Sequence, residues 1–491
     1  MAVKLIYKDV ALGADEDAEV TATDAEDFSD IAKIPFGVEA PAIATGELNG
    51  WGLTHDYKVL DNQPIAFWSK ERSGADCYFS SPPTITLDFT KQYTVTGLTV
   101  RFAPESMDYC TQISLTWYQG GVIKHSGTYY PNNPSYVIKG TTEAFDKLVF
   151  RFEKTNLPGK RLKVENITIG VIRNFGGDEL TSAAFLHEVS PISDTVPVNV
   201  LDATFHSKED VDFVFQRKQP VEGYNGSELI GVYYIEAGRR TGASDYTIAC
   251  CDIVGVWDIE EYGGGIWFTD TPVTDILTDV FGDLYFFDIA PEYSASTLRG
   301  YIAPGTKREA LQQIAFALGA VVDTSATNKV RLYPMPTGTG AAISAAKTYV
   351  GGAVDVADKV TEVTVTAYVI FDERPTDNQE SVELNGVKYR YYTDTKHAYN
   401  PDTIASDLPN KVKFDKSYLV NLSNAQTLAD NIMAYYMRRD KYAFKHVMDG
   451  QKLGDRATAT LPWNDEVSGN ITKMSITVTG LTVSETEMLL D

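Results

Sequence analysis

A chain of 491 residues exceeds the size at which one hydrophobic core usually stops growing, so about three or four domains are expected. Hydrophobic residues at 43% and charged residues at 22% exclude a disordered chain, a collagen-like repeat and a coiled coil. A formal net charge of −24 excludes a surface built to grip nucleic acid, because phosphate binding needs clustered Lys and Arg.

Tyr, Phe, Val and Thr recur in short runs broken by Gly, Pro, Asn and Asp, which predicts a mainly β, multi-domain protein. Residues 1–60 read as an N-terminal arm and lead-in: one strand at 4–10, an acidic stretch at 15–30, and turns around Pro35, Gly37 and Pro41. Residues 61–175 carry alternating strands at 84–89, 97–102, 112–118 and 147–152, the pattern of a β-sandwich with one face on a core. Residues 176–262 again read as strands, at 196–205, 212–215, 229–236 and 245–257.

The pattern changes over 263–345, predicted as a small α/β unit. Thr271 and Pro272 open a helix carrying Val273, Ile276, Leu277 and Val280, stopped by Gly282. Thr306 and Glu309 form a capping box for a second helix, with Leu311, Ile314, Ala315 and Leu318 on one face and Gly319 closing it. A strand follows at 329–333. After a Gly/Ala-rich connector at 338–352, residues 346–491 predict a strand at 360–371, a hairpin turning at Asn385-Gly386, a helix capped by Ser423 and Gln426, and strands at 445–448, 457–461 and 471–481.

Few residues offer chemistry. The start, MAVKLIYKDV, lacks a basic-plus-apolar leader, and no stretch reaches membrane-spanning length, so the protein is expected to stay in solution. Of four cysteines, the adjacent Cys250 and Cys251 point to opposite faces of a strand, and reduced thiols are expected, with a Cys77–Cys110 disulfide the alternative. The six histidines, His55, His125, His187, His206, His397 and His446, are scattered, and the neighbours His55-Asp56 and His187-Glu188 point apart in an extended chain. Gly263-Gly264-Gly265 lacks the Lys and Ser/Thr of a phosphate loop and reads as a turn. Asp275, Asp279 and Asp283 stand four apart on or beside a helix, the spacing a carboxylate pair would need, and read as a solvated face. Trp51, Trp68, Trp117 and Tyr118 could form a sugar-stacking platform, but core packing explains them without a ligand. The expectation is therefore no catalytic, cofactor-binding or metal-ligating residue, no cofactor and no enzyme.

Two stretches resemble known families. Residues 83–170, with the runs 83–89, 97–102, Trp117-Tyr118 and 154–164, resemble the discoidin-like, galactose-binding-like sandwiches of virion proteins from phages of Gram-positive hosts. The phrase 187–193 before the strand at 198–205 looks like the junction preceding a hub portion. The runs 229–236, 246–252 and 306–311 with Gly319-Ala320, then Gly454-Asp455 and 469–473, resemble phage tail and baseplate hub proteins in that order.

The resemblance implies a structural hub at a phage tail tip or baseplate, or in a phage-derived contractile particle. Its implied fold is a β-sandwich plus tail-tube-like β-barrels with a small inserted α/β domain: a first barrel at 176–262, and a second with a closing α/β segment at 346–491. It implies a homotrimeric ring that joins the tail tube to the tip and passes DNA or tape measure. Implied partners are the tail tube or distal tail protein, the tape measure protein, a tip spike or other baseplate proteins, and a surface glycan through the sandwich. Synthesis in the host bacterial cytoplasm and residence in the virion follow, with no specific nucleic-acid binding and no membrane span. The alternative is a carbohydrate-binding adhesion protein acting through the sandwich. A third reading is a glycan hydrolase using Asp279 and Asp283.

Overall fold

The computed structural model describes residues 3–38, 64–207, 215–478 and 481–491. The expectations on Pro41, Trp51 and His55-Asp56, and all but Phe215 of the strand at 212–215, lie outside them. The protein is mainly β and multi-domain. It divides into two compact units, one holding the described residues of 6–174 and 211–219, the other those of 1–5, 175–210 and 220–491.

In the smaller unit, one antiparallel sheet runs in the order Glu19–Ala22, Thr84–Arg101, Ser135–Thr155, Cys110–Gln119, Val122–Tyr129. A two-stranded ladder of Phe67–Arg72 and Arg161–Val164 shares its core. The expected strands 84–89 and 97–102 are the two ends of one strand, whose register with Ser135–Thr155 shifts three times between Asp88 and Gly97. The polar break Thr90-Lys91-Gln92 falls on this bulged stretch, where the ladder is disrupted and side chains leave the core. On either side alternation holds, and Ile85, Leu87, Leu98 and Val100 are fully buried.

Trp117 packs edge-on to Phe145 with ring centroids 4.9 Å apart. Lys160 and Lys163 reach the same buried carboxylate, Asp108, at 3.1 and 2.9 Å. Breaking such a buried pair by removing one partner generally costs about 3–5 kcal/mol.

The larger unit is built on a long antiparallel ladder. Its order is Pro220–Asn225, Glu228–Arg240, Asp245–Cys251, Val200–His206, Leu180–Glu188, Glu466–Val478, Thr482–Leu490, Asp440–Val447, Ala353–Val356. Arg456–Thr460 pairs with the first half of Glu466–Val478, and Ala341–Ala342 pairs with Arg456–Thr460. The segment 341–356 therefore bonds to Arg456–Thr460 at its start and to Asp440–Val447 at its end, closing the C-terminal strands into a ring. The Gly/Ala composition that reads as a connector serves this closure. A Cβ on Gly340 would lie 2.4 Å from the Ala457 backbone nitrogen, so only glycine lets the segment approach.

A third core joins Val254, Trp257, Ile276, Leu311, Ile314, Val363, Val365, Leu428 and Ile432. It is assembled from helices Val273–Phe281, Lys307–Leu318 and Ala425–Met437 with three small sheets and the four-stranded sheet Ser381–Leu384, Val387–Tyr399, Glu362–Ile370, Lys411–Phe414. The capping box is as read: Thr306 accepts from the Glu309 amide, Glu309 accepts from the Thr306 amide at 2.9 Å, and Gly319 closes the helix at φ 65°. Asn385 and Gly386 take φ of 51° and 79°, turning the expected hairpin.

Three local readings are corrected. The strand at 245–257 ends at Cys251, because Asp252 accepts from the Gly255 amide at 3.0 Å and starts a short helix, Ile253–Trp257. The helix assigned to a Ser423/Gln426 cap begins at Ala425 behind Asn424; Ser423 is held by Asn421, and Gln426 donates to the His397 carbonyl and Asp430. The last strand is two, Glu466–Val478 and Thr482–Leu490, since alternation alone cannot place a chain reversal.

All four cysteines are free thiols. Burial pushes Cys110 and Cys251 up to about 12 and raises Cys250 well above the ordinary thiol range. In the native protein a thiol-reactive disulfide dye is therefore expected to label only the half-buried Cys77 rapidly, and all four after unfolding; fast labelling of two or more would contradict the burial described. Gly340→Ala is expected to cost about 1–3 kcal/mol in urea unfolding, because the closing segment must retreat from the Arg456–Thr460 strand.

Candidate functional site at the seam of two β blocks

Leu180–Glu188 is the element on which the larger unit turns. One edge pairs with Val200–His206 and the other with the second half of Glu466–Val478. It thus fuses the block at 180–251 to the closed C-terminal block. Across the seam Ala183, Phe185 and His187 oppose Val478, Ile476 and Met474, all on the inward face. On the outer face Glu188 opposes Lys473 in an ion pair of 3.3 Å. His187 and Glu188 point apart, as neighbours in a strand must.

His187 is buried, and its Nε2 hydrogen-bonds the Tyr233 hydroxyl. Burial alone holds its pKa down at about 4, so the ring is neutral. Beside it lies a second buried polar group. Asp252 accepts from Thr324 Oγ1 at 2.5 Å, the Asn199 amide at 3.1 Å and the Gly255 amide at 3.0 Å, while Asn199 Nδ2 donates to Thr324 at 2.8 Å. Burial raises Asp252 to about 6, against the pull of these bonds.

After the strand, the phrase 187–193 is fastened to the capped helix: Gln312 donates to the Ser193 carbonyl at 3.0 Å and Arg308 to the Val196 carbonyl at 2.9 Å. A cavity of about 140 Å³ opens on the seam, with His187, Met474, Ile476, Ile230 and Ser325 among its lining. The Ser325 hydroxyl and Asn225 Oδ1 face no protein partner, and a space this size has room for a few waters to satisfy them.

The other residues weighed in the sequence do not converge. His125 is exposed; His206 bonds Asp245 at 2.9 Å, His397 bonds Glu362 at 2.7 Å, and buried His446 bonds Thr486 at 2.9 Å. Asp279 accepts from the Tyr262 hydroxyl at 2.5 Å and Asp283 from the Tyr285 amide at 2.9 Å, each a local structural bond. Gly264 takes φ 85° in a turn before the strand Gly265–Pro272. Trp68 and Trp117 are 1% and 2% exposed and offer no face to a sugar. Among the described residues no three His, Cys, Asp or Glu side chains gather as a metal site, and no helix is long and apolar enough to cross a membrane. The Asp252–Asn199–Thr324 knot was not visible in sequence; its one signal, an Asp before Ile253-Val254-Gly255, is a weak N-cap pattern.

No family model and no curated protein matches the chain. Solved structures similar to it include the tail protein from Neisseria meningitidis MC58, at 11% identity and TM-score 0.45, covering 64% of this chain and 93% of that one. The 43 kDa tail protein of prophage MuSo2 from Shewanella oneidensis is similar at 10% identity and TM-score 0.42, covering 65% and 95%. The virion of a native gene transfer agent particle contains a chain similar at 11% identity and TM-score 0.29, covering 96% and 84%. These likenesses are distant ones.

The two buried groups titrate in opposite senses. His187 has a folded pKa below its unfolded 6.5, so its contribution is complete above pH 6.5 and lost as pH falls toward about 4. Asp252 has a folded pKa above its unfolded 3.8, so stability is gained as pH falls from about 6 toward 3.8. Each is worth about 3 kcal/mol. Relative to wild type, His187→Gln is expected to become more stable and Asp252→Asn less stable as pH drops from 6.5 to 4, read from urea midpoints; parallel curves for all three proteins would refute the assignment.

Proposed function

We propose that this chain is a non-enzymatic structural hub of a phage tail tip or baseplate, or of a phage-derived contractile particle. The observation that carries the reading is the fusion of two β blocks in one sheet, at 180–251 and 440–490, through the Leu180–Glu188 and Glu466–Val478 ladder. A tube that meets a threefold tip needs two tube-like β units per subunit, and two β blocks in series in one sheet support that reading. The ordered resemblance of 187–473 to hub proteins supports the same reading.

In this proposal three copies form a ring joining the tail tube, or the distal tail protein, to the tip spike and other baseplate proteins. The barrels are drawn from the strands of 176–262 and 346–491 that lie in the long sheet, while the helices and smaller sheets between 254 and 437 form the third core apart from them. The discoidin-like sandwich of 61–175 decorates the ring. Tape measure or DNA passes through the lumen, and a net charge of −24 per copy supplies like-charge repulsion that lets DNA slide without sticking.

Light scattering on the purified chain is expected to give the mass of a trimer, and microscopy a ring with a central hole. Gel shift at low salt is expected to show no retention of double-stranded DNA. A protein that stays monomeric at every concentration and never forms a ring removes the proposal.

A further inference from the structure

The smaller unit buries three charged side chains against one another: Asp108, Lys160 and Lys163 are 2%, 2% and 1% exposed. Backbone bonds fix all three. Asp108 and Ala103 exchange amide and carbonyl at 3.2 Å in both directions, closing the turn 103–108. Lys163 pairs in register with Trp68 of the Phe67–Arg72 strand. Lys160, one residue ahead of the strand Arg161–Val164, donates its amide to the Ser73 hydroxyl at 3.2 Å and accepts from the Ser73 amide at 2.9 Å.

The two amines stand differently to the carboxylate. Lys163 Nζ bonds one oxygen, Oδ2, at 2.9 Å. Lys160 Nζ lies 3.1 Å from Oδ1 and 3.2 Å from Oδ2. That equal approach sets it roughly 3–3.5 Å from the carbon between them, the range of a near-attack geometry. Yet Oδ1 receives no hydrogen bond among the described residues. A buried carboxylate oxygen left unbonded is costly in an ordinary ion pair, whereas an oxygen that departs as water needs no partner in the finished protein. The Trp68 ring lies 5.1 Å from Lys163 Nζ and forms a small apolar cluster with Ile65 and Ala103, which keeps bulk water from the carboxyl carbon.

We infer that Lys160 and Asp108 condense into an intramolecular amide, a covalent cross-link in the core of the smaller unit. One proton passes from the Lys160 ammonium to the carboxylate, and the amine so freed attacks Cγ. The Nζ–Cγ bond forms and the Cγ–Oδ1 bond breaks. Of the three protons on Nζ, one stays as the amide N–H and two leave on Oδ1 as water, so atoms and charge balance with no redox partner or added reagent. Lys163 keeps its proton throughout. Its ammonium lies against Oδ2, where negative charge develops in the tetrahedral intermediate, and afterwards donates to the amide carbonyl. Condensation also removes two charges that are costly to hold out of water. Because Asp108 and Lys160 are 52 residues apart, the cross-link encloses the strands Cys110–Gln119, Val122–Tyr129 and Ser135–Thr155, and tension along the chain bypasses them.

Intact mass spectrometry of the native full chain tests this. The wild type is expected to be lighter than its sequence mass by one water, and a tryptic digest to give a branched peptide joining Asp108 to Lys160, with cleavage lost after Lys160. Lys160→Arg and Asp108→Ala are each expected to show the full mass of their own sequence. Lys163→Met, checked for its fold by circular dichroism, is expected to form the bond roughly 100-fold more slowly, read as the fraction of lighter chain over hours after purification. A wild type at its full sequence mass overturns the proposal however the variants fold, and so does a branch carried by Lys163. A Lys163→Met chain that cross-links as fast as wild type removes the part given to Lys163.

Discussion

The larger unit depends on one antiparallel ladder between segments almost three hundred residues apart, from Ala183↔Val478 to Glu188↔Lys473. Such a pairing bears a loop-closure cost that must be offset by what it buries. The side-chain period of two makes the register strict: one step of slip would carry Phe185, His187, Met474 and Ile476 to the solvent face and bring Leu186, Ser475 and Thr477 inward. The Glu188–Lys473 pair on the outer face fits only the observed register. Everything C-terminal to it, from the ring closed by 341–356 to the exposed hairpin at Trp463, is positioned by that alignment.

Burial makes the seam polar in a particular way. An imidazole and a carboxylate are both taken out of water there, and each responds by shifting toward its neutral form. The hydroxyl of Tyr233 and the three bonds to Asp252 satisfy what charge would otherwise demand. A buried polar network of this kind ties the end of the Asp245–Cys251 strand, Thr324 just after the Val321–Asp323 strand and, through the Glu188 amide, the seam strand together, which an apolar core of equal volume would do with less directional specificity. Removing any one member leaves its partner unsatisfied in low dielectric, at a cost larger than the bond itself.

Acidity and assembly pull against each other in this chain. A charge of −24 makes copies repel one another in solution, so the ring proposed above has to draw on apolar contacts that outweigh this repulsion. The smaller unit hides its tryptophans at 68 and 117 in its own core, whereas the larger leaves Trp463 outside. That contrast separates aromatic residues that hold a fold from one that the fold itself does not need.

Local rules were readable from residues alone. The capping box at Thr306 and Glu309, the αL stops at Gly282 and Gly319, the Asn385-Gly386 turn and the alternating strands of 84–152 follow from short-range sterics and hydrogen bonding, which the chain carries wherever it folds. What the tertiary structure decided lies beyond that range. Whether 338–352 is a connector or the stave that closes a ring depends on two strand edges more than eighty residues downstream. Whether His187 is a surface residue or a neutral core one depends on Tyr233 and Met474, brought to it by two different strands. Sequence determined which segments could become strands and helices, because propensity and periodicity are local. Which strand met which, and so where the seam and the closed C-terminal ring stand, was settled by burying apolar faces that no single segment could cover by itself.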